Sequence, residues 1–534
     1  MYKIAFFVLL FSIGIHTNAQ VWNPDLSNGS YKNPVIFADY SDPDVIRVND
    51  DYYMVASSFN SQPGLPILHS KDLVNWKIIN HVYSRLPLQR YDKMQPGQGA
   101  WAPSIRYHKG LFHIYFCTPE DGLFMASASN PAGKWTLTLV QNVTNWEDPC
   151  PFWDEDNQAY LLHGLVGAGP AILHKLSADG KKLLDNGKLI YRDDKKQPVL
   201  EGFKFMEKRD GYYYFSAPAG GVGSGWQSVF RSKNIYGPYE DKIVLHQGNT
   251  NVNGPHQGGL VETQTGEWWF MHFQDKGTYG RIIHLQPAVW KNGWPVIGAD
   301  NDNDGTGEPV AVYKKPNVGT AHPSVGGPQT TDEFSSVKLA LQWQWQAAPQ
   351  REWFDLTSKK GSLRLYAISN PTDDGSLFYA PNMLLQKFSA PEFAAETQLD
   401  FYGTTLGDRA GLTVTGNYYT YICLEKLQDG PHLSIYEGKK ENRKYMLPQK
   451  IVSIPYNSNK IWLRVNIDNR TMYQYSYSMD GKVFSNLGSS YAAEKGTWIG
   501  AKIGLVCLNP GLMPSRGFAD FDYFKLMPKD KSFQ

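Results

Sequence analysis

Between about residue 33 and residue 298 the apolar positions fall in short runs joined by polar turns. A turn followed by aromatics stands at Asn49-Asp50-Asp51-Tyr52-Tyr53, Lys109-Gly110-Leu111-Phe112 and Asp156-Asn157-Gln158-Ala159-Tyr160. It recurs at Arg209-Asp210-Gly211-Tyr212-Tyr213 and Thr265-Gly266-Glu267-Trp268-Trp269. A repeat of roughly 50 residues with paired strands in each unit predicts the blades of a five-bladed β-propeller. Most units end on a second polar turn and an aromatic, as in Ser70 to Trp76, Ser129 to Trp135 and Ser232 to Tyr239. Such turns suit the ends of short antiparallel strands. The third unit, around Leu176 to Gly180, is the weakest copy, and the helical period is hardly seen.

From Ala299 to Thr331 the composition shifts to Gly, Pro, Asn and Asp, which predicts a linker or a wrapping loop. Beyond it the chain is again strand-rich, without the repeat. Phe393, Ala395, Thr397, Leu399 and Phe401 share one face of a two-residue period, and Ala519, Phe521 and Tyr523 alternate with Asp520 and Asp522. Ile461 to Val465 and Ile503 to Val506 add further strands. Many strands and few helical signals predict a β-sandwich. The expected architecture is all-β, with a propeller over 30–298, a connecting segment over 299–331 and a sandwich over 332–528. The 534 residues are too many for a single core. Phe334, Trp343 and Trp345, just past the connection, are expected to dock between the domains rather than lie exposed.

A formal net charge of +1 gives no argument for nucleic acid or an acidic polymer as partner. Aromatics make up 14% of the chain, which suits both strands and stacking on sugars. Met1-Tyr2-Lys3, the apolar run Ile4 to Ile15 and the small-residue site Thr17-Asn18-Ala19 predict a secretory signal peptide over 1–19. No Cys follows the cleavage site, which argues against a bacterial-type lipid anchor, and no later stretch is long and apolar enough for a helical membrane span. The protein is therefore expected to be exported, periplasmic or secreted. Export permits disulfides among Cys117, Cys150, Cys423 and Cys507, but each lies in or beside an apolar run, so buried free thiols are an equal alternative. None has zinc-site spacing.

About ten residues before the first, third and fourth turns stand Asp42, Asp148 and Glu201. If each turn joins a blade's first and second strands, these acids begin the innermost strands and meet on the propeller axis. Asp44 is the near competitor of Asp42. At Ser41-Asp42-Pro43-Asp44-Val45, Glu147-Asp148-Pro149-Cys150-Pro151-Phe152 and Leu200-Glu201-Gly202-Phe203 the chain resembles glycoside hydrolase family 43. Asn33-Pro34-Val35, Trp101-Ala102-Pro103-Ser104, His256-Gln257-Gly258-Gly259 and Gly280-Arg281 extend the resemblance. The second half resembles the jelly-roll, concanavalin A-like C-terminal domain found on β-xylosidases of that family.

The resemblance implies that Asp42 is a general base activating water, that Glu201 is the general acid, and that Asp148 orients Glu201 and tunes its pKa. It implies hydrolysis with inversion, requiring no cofactor. One carboxyl group must be protonated and another ionised, and a nearby third charge serves that division. Trp101 and Phe59 are candidate sugar platforms, and Arg281 and His256 candidate substrate contacts; ordinary packing is the alternative for each. In the family the equivalent histidine often sits at the channel floor near a water or metal ion. Family members often carry Pro after Glu-Gly where Phe203 stands here, which predicts a changed pocket shape. Asp300, Asp302 and Asp304, followed by Gly305, suit the start of a structural calcium loop, although Ala311 occupies the place of the closing Glu.

The implied activity is exo-acting release of a pentose from hemicellulose-derived oligo- or polysaccharide, as β-xylosidase, α-L-arabinofuranosidase or both. Endo-arabinanase and a non-catalytic carbohydrate-binding protein are the alternatives. No blade carries the Trp-Asp ending of a protein-interaction propeller.

Overall fold

The computed structural model describes residues 20–319, 326–372, 375–442, 444–511 and 514–529, so the expected signal peptide lies outside the described residues. Five four-stranded antiparallel sheets form the propeller. Blade one runs through Asp44–Val48, Asp51–Val55, Gly64–Ser70 and Lys77–Tyr83; blade two starts at Trp101–His108, blade three at Trp146–Trp153, blade four at Lys204–Arg209 and blade five at His256–Glu262. The repeated turns are the first hairpins of the blades. At Lys109-Gly110 and Asp210-Gly211 both residues have positive φ, 48° and 82°, then 50° and 77°. Two-residue turns of this kind match the twist of the strands they join. Blade five lies beside blade one, and Asn33 fastens the incoming chain there. Its side chain accepts the Leu285 N–H at 2.8 Å and donates to Leu285 and Val310 carbonyls, both at 2.8 Å.

One irregularity recurs in all five blades. Asp42, Ala102, Asp148, Gly202 and Gln257 all have positive φ, between 36° and 67°, at the head of the inner strand. The left-handed region costs on the order of 1 kcal/mol for a residue with a Cβ, and each kink redirects the side chains beside it. The residues just before the kinks form a second ring: Ser41, Trp101, Glu147, Glu201 and His256.

The C-terminal domain is a sandwich of a nine-stranded and a seven-stranded sheet. Inward residues Phe393, Ala395, Leu399 and Phe401 pack against Leu412, Val414, Leu505 and Phe521. The segment between the domains is tied to the propeller: Val312–Lys314 pairs with Ser30–Lys32, and the Gln329 side chain bonds both backbone groups of Ile78. Of the three early aromatics, Trp345 lies on the boundary, exchanging backbone hydrogen bonds with Gln62 at 2.6 and 3.0 Å. Phe334 and Trp343 instead fill the sandwich, where Trp343 packs on Phe524 with centroids 5.0 Å apart. Propeller residues Phe37, Tyr279 and Ile282 belong to the sandwich's own core. All four cysteines are buried free thiols.

Candidate active site

Three blades bring Asp42, Asp148 and Glu201 into one cavity of about 160 Å³ at the propeller axis. Asp42 Oδ1 accepts Arg281 Nη1 at 2.6 Å, and Oδ2 accepts the Ser57 hydroxyl at 2.6 Å. Both oxygens are thereby fixed in direction. Arg281 is anchored in turn through its backbone N–H, which donates to Asp39 Oδ1 at 2.9 Å. Burial works against the Arg281 charge, but Asp42 and Asp39 more than restore it and hold its pKa above the ordinary value. Asp44 does not compete for the site. Its Oδ2 is taken by Arg106 at 2.6 Å and the Ile105 N–H at 2.9 Å, beneath the pocket.

Asp148 Oδ2 accepts the Gly202 N–H at 2.7 Å, and Oδ1 accepts the Gln257 amide at 3.2 Å. Asp148 therefore holds the backbone next to Glu201. Only glycine serves at 202: with φ of 67°, a Cβ would lie 2.8 Å from Pro218 and 2.9 Å from Gln257. Burial, with the charge of Glu201, pushes the Asp148 carboxyl up, against the Gly202 bond and Lys204. Glu201 Oε1 lies 2.8 Å from His256 Nε2. Burial works to raise the Glu201 carboxyl, yet the His256 bond and the Arg281 charge outweigh it and leave it below the usual range. With 24% of its side chain exposed, Glu201 is open to the cavity, whereas His256 is fully buried behind it. His256 thus touches an acid rather than forming the pocket wall, because its Nε2 is engaged there.

Trp101 and Phe59 both line the cavity, with centroids 6.1 Å apart. Arg281 lines it as well. Phe203 does not line the cavity. The ring is fully buried between blades three and four, against Gly164, where even an added Cβ would meet it at 2.7 Å. The kink at Gly202 turns the next side chain away from the axis.

Among the wall residues that sequence reasoning did not single out are Trp498 and Glu147. Trp498 comes from the sandwich, is 52% exposed, and stands edge-on to Trp101 with centroids 6.1 Å apart. Its loop is fixed by the Gly500 N–H, which donates to Asp39 Oδ2 at 2.8 Å. One carboxylate, Asp39, therefore holds both Arg281 and the loop that carries Trp498. An aromatic between glycines, Gly496-Thr497-Trp498-Ile499-Gly500, was the available signal. Asp300, Asp302 and Asp304 bring one carboxylate oxygen each within 4.8 Å of one another, away from this cavity. Lys291 already pairs with Asp300 Oδ2 at 3.0 Å.

Residues 31–295 match the description Glycosyl hydrolases family 43, and residues 331–527 match the Beta xylosidase C-terminal Concanavalin A-like domain. A putative β-xylosidase of Xylanibacter ruminicola is 45% identical over 94% of this chain and 90% of its own. A non-reducing end α-L-arabinofuranosidase of Bacteroides ovatus is 31% identical over 76% of this chain and 78% of its own. The crystal structure of a GH43 protein from Bacillus licheniformis superposes with a TM-score of 0.80 at 27% identity, covering 93% of this chain and 99% of that one. By its two matched domains, its relatives and the carboxyl groups gathered on its axis, the chain belongs to glycosyl hydrolase family 43 and is a glycoside hydrolase.

Proposed function

We propose that the protein removes single terminal pentoses, β-xylose, α-L-arabinofuranose or both, from hemicellulose-derived glycans. The observation that carries this reading is the cavity itself: three carboxyl groups in a small pocket whose wall is completed by Trp498 from the second domain. Such a pocket suits a chain end. An endo-acting enzyme needs an open groove, and Trp498 stands in its way. Relatives named for xylosidase and arabinofuranosidase activities support both sugars. Product analysis on xylo-oligosaccharides, arabinoxylan and debranched arabinan tests exo action: monosaccharides should appear first, and early oligosaccharides of mixed length would reject it. Trp498→Ala should lower kcat/KM about tenfold, in line with the worth of an aromatic contact of ~1 kcal/mol or slightly more. An unchanged kcat/KM would remove Trp498 from the binding surface.

In this reading Asp42 takes a proton from water as the water attacks the anomeric carbon. Glu201, from the fourth blade, gives its proton to the departing oxygen, and the configuration inverts. Arg281 and Ser57 aim the Asp42 carboxylate. Carboxyl groups and water suffice for these steps. The ligand-free bond from His256 favours ionised Glu201, but a bound sugar strips the remaining water from it, and desolvation favours the protonated form. Asp148, raised by burial and by the charge of Glu201, titrates together with Glu201, so the two proton losses belong to the pair.

Two variants should move the basic limb of the kcat/KM profile in opposite directions. Activity is lost as pH rises and Glu201 loses its proton. Asp148→Asn removes a carboxyl group whose ionisation opposes that of Glu201, so the Glu201 proton leaves more readily and the limb shifts to lower pH. His256→Leu removes the bond that favours the carboxylate, so the limb shifts to higher pH, by about one unit for a charged hydrogen bond of ~1.5 kcal/mol. Shifts in the same direction would contradict this electrostatic arrangement.

Export to the periplasm or medium is proposed from Met1 to Ala19, and N-terminal sequencing of the mature protein tests it: the chain should begin at Gln20. Calcium at Asp300, Asp302 and Asp304 would be a stabiliser only. Three carboxylates offer about half of the roughly six to eight oxygens that Ca²⁺ takes, and Lys291 would have to leave Asp300 first.

A further inference from the structure

Glu147 holds, in blade three, the ring position that Glu201 holds in blade four and Trp101 in blade two. Both of those neighbours line the cavity, and so does Glu147. Glu147 lines the cavity together with Val166 and Gly167, and Val166 is exposed at its mouth. One carboxyl oxygen, Oε1, is buried and has no hydrogen-bond partner among the described residues. A buried polar atom left unpaired costs roughly 1–3 kcal/mol, so an unpaired carboxyl oxygen in a pocket wall calls for an explanation. Trp146 precedes Glu147 and stacks on His163 with centroids 3.7 Å apart, which fixes the backbone here. The carboxyl can still turn about its last bond, a broad two-fold torsion, and bring Oε1 round to the cavity.

We propose that Glu147 is a substrate-binding residue that hydrogen-bonds a hydroxyl of the leaving sugar, on the far side of the scissile bond from the terminal pentose. This rests on the proposed exo-hydrolase reading and deepens it. The placement follows from the ring. Glu201 at the same level reaches the glycosidic oxygen, and Glu147 lies one blade away, next to the loop at the mouth. Burial and the charges of Asp148 and Glu201 push the Glu147 carboxyl up, so it meets the hydroxyl in its neutral form and can both donate and accept. A neutral group also adds no charge to a pocket that already holds three acids. The residue thus supplies sugar recognition without disturbing the proton held for Glu201.

The experiment compares an aryl pentoside, which has no leaving sugar, with the matching disaccharide. Wild-type turnover of the aryl substrate tests the exo-hydrolase reading by itself. Glu147→Ala should lower kcat/KM on the disaccharide about tenfold, as a hydrogen bond of ~1.4 kcal/mol implies, and leave the aryl pentoside within about twofold. Glu147→Gln, which keeps a donor and an acceptor, should restore most of the loss. Equal losses on both substrates, or no loss on either, would overturn the proposal. A second measurement avoids any folding defect of the alanine variant: wild-type protein should lose a similar factor on a disaccharide whose leaving sugar lacks one particular hydroxyl. If no single deoxy position costs activity, Glu147 has no such partner.

Discussion

Asp42→Asn is expected to remove hydrolysis of every substrate, whereas Glu201→Gln should spare substrates whose leaving group needs no proton. The two residues are held in opposite ways. Asp42 is pinned by Arg281 and Ser57 at 2.6 Å each, an arrangement that presents a carboxylate to water. The Glu201 carboxyl group is about a quarter exposed, and His256 is its one hydrogen-bond partner among the described residues. Water attack is needed whatever leaves, so the amide at 42 should cost about 10²- to 10⁴-fold on aryl and natural glycosides alike. Protonation matters only for poor leaving groups. Glu201→Gln should therefore lose a similar factor on xylosides and arabinosides but keep most of its activity on phenols of low pKa. The check is the rate of each variant against leaving-group pKa. A steep dependence for Glu201→Gln beside a flat one for Asp42→Asn supports the assignment; equal dependence would reverse or dissolve it.

The propeller was legible because its turns are local chemistry. Lys109-Gly110 and Asp210-Gly211 need positive φ whatever surrounds them, and the aromatic runs after them record strands buried on both faces. The acids were legible because their spacing follows that repeat. The same repeat hides a one-residue difference. Asp42 and Asp148 sit on the left-handed kinks, while Glu201 comes just before one, so its carboxyl enters the pocket from the second ring. That ring also contains Glu147 and His256, whose roles depend on which way a kink points a side chain. Beyond the same kink Phe203 is buried, so the residue read from the sequence as changing the pocket's shape does not line the cavity. Trp498 was hidden for a different reason. It belongs to the other domain, and no periodicity within the sandwich tells which of its loops meets the propeller mouth.

A chain ending at Thr331 is expected to be inactive and mostly insoluble, because the propeller is not finished without the sandwich. Phe37, Tyr279 and Ile282 would lose their cover. Full burial of such side chains is worth ~1.5–3 kcal/mol each, and their exposure together creates an apolar patch of the kind that drives aggregation. Polar groups lose partners as well. Gln62 gives up both backbone bonds to Trp345, Tyr91 loses the Ala348 N–H, and Asn60 loses the Gln346 carbonyl at 2.8 Å. The effect reaches the chemistry through Asp39, which would keep Arg281 but lose Gly500, and through the missing wall at Trp498. The complementary fragment, from Asp332 onward, leaves the other half of the same interface bare and should be poorly soluble and should not bind xylan. Each fragment would be expressed alone and with the other, scoring soluble yield and aryl pentoside hydrolysis. Activity recovered only on co-expression supports one shared core. A soluble propeller with the full wild-type rate would show instead that the sandwich is a separate module.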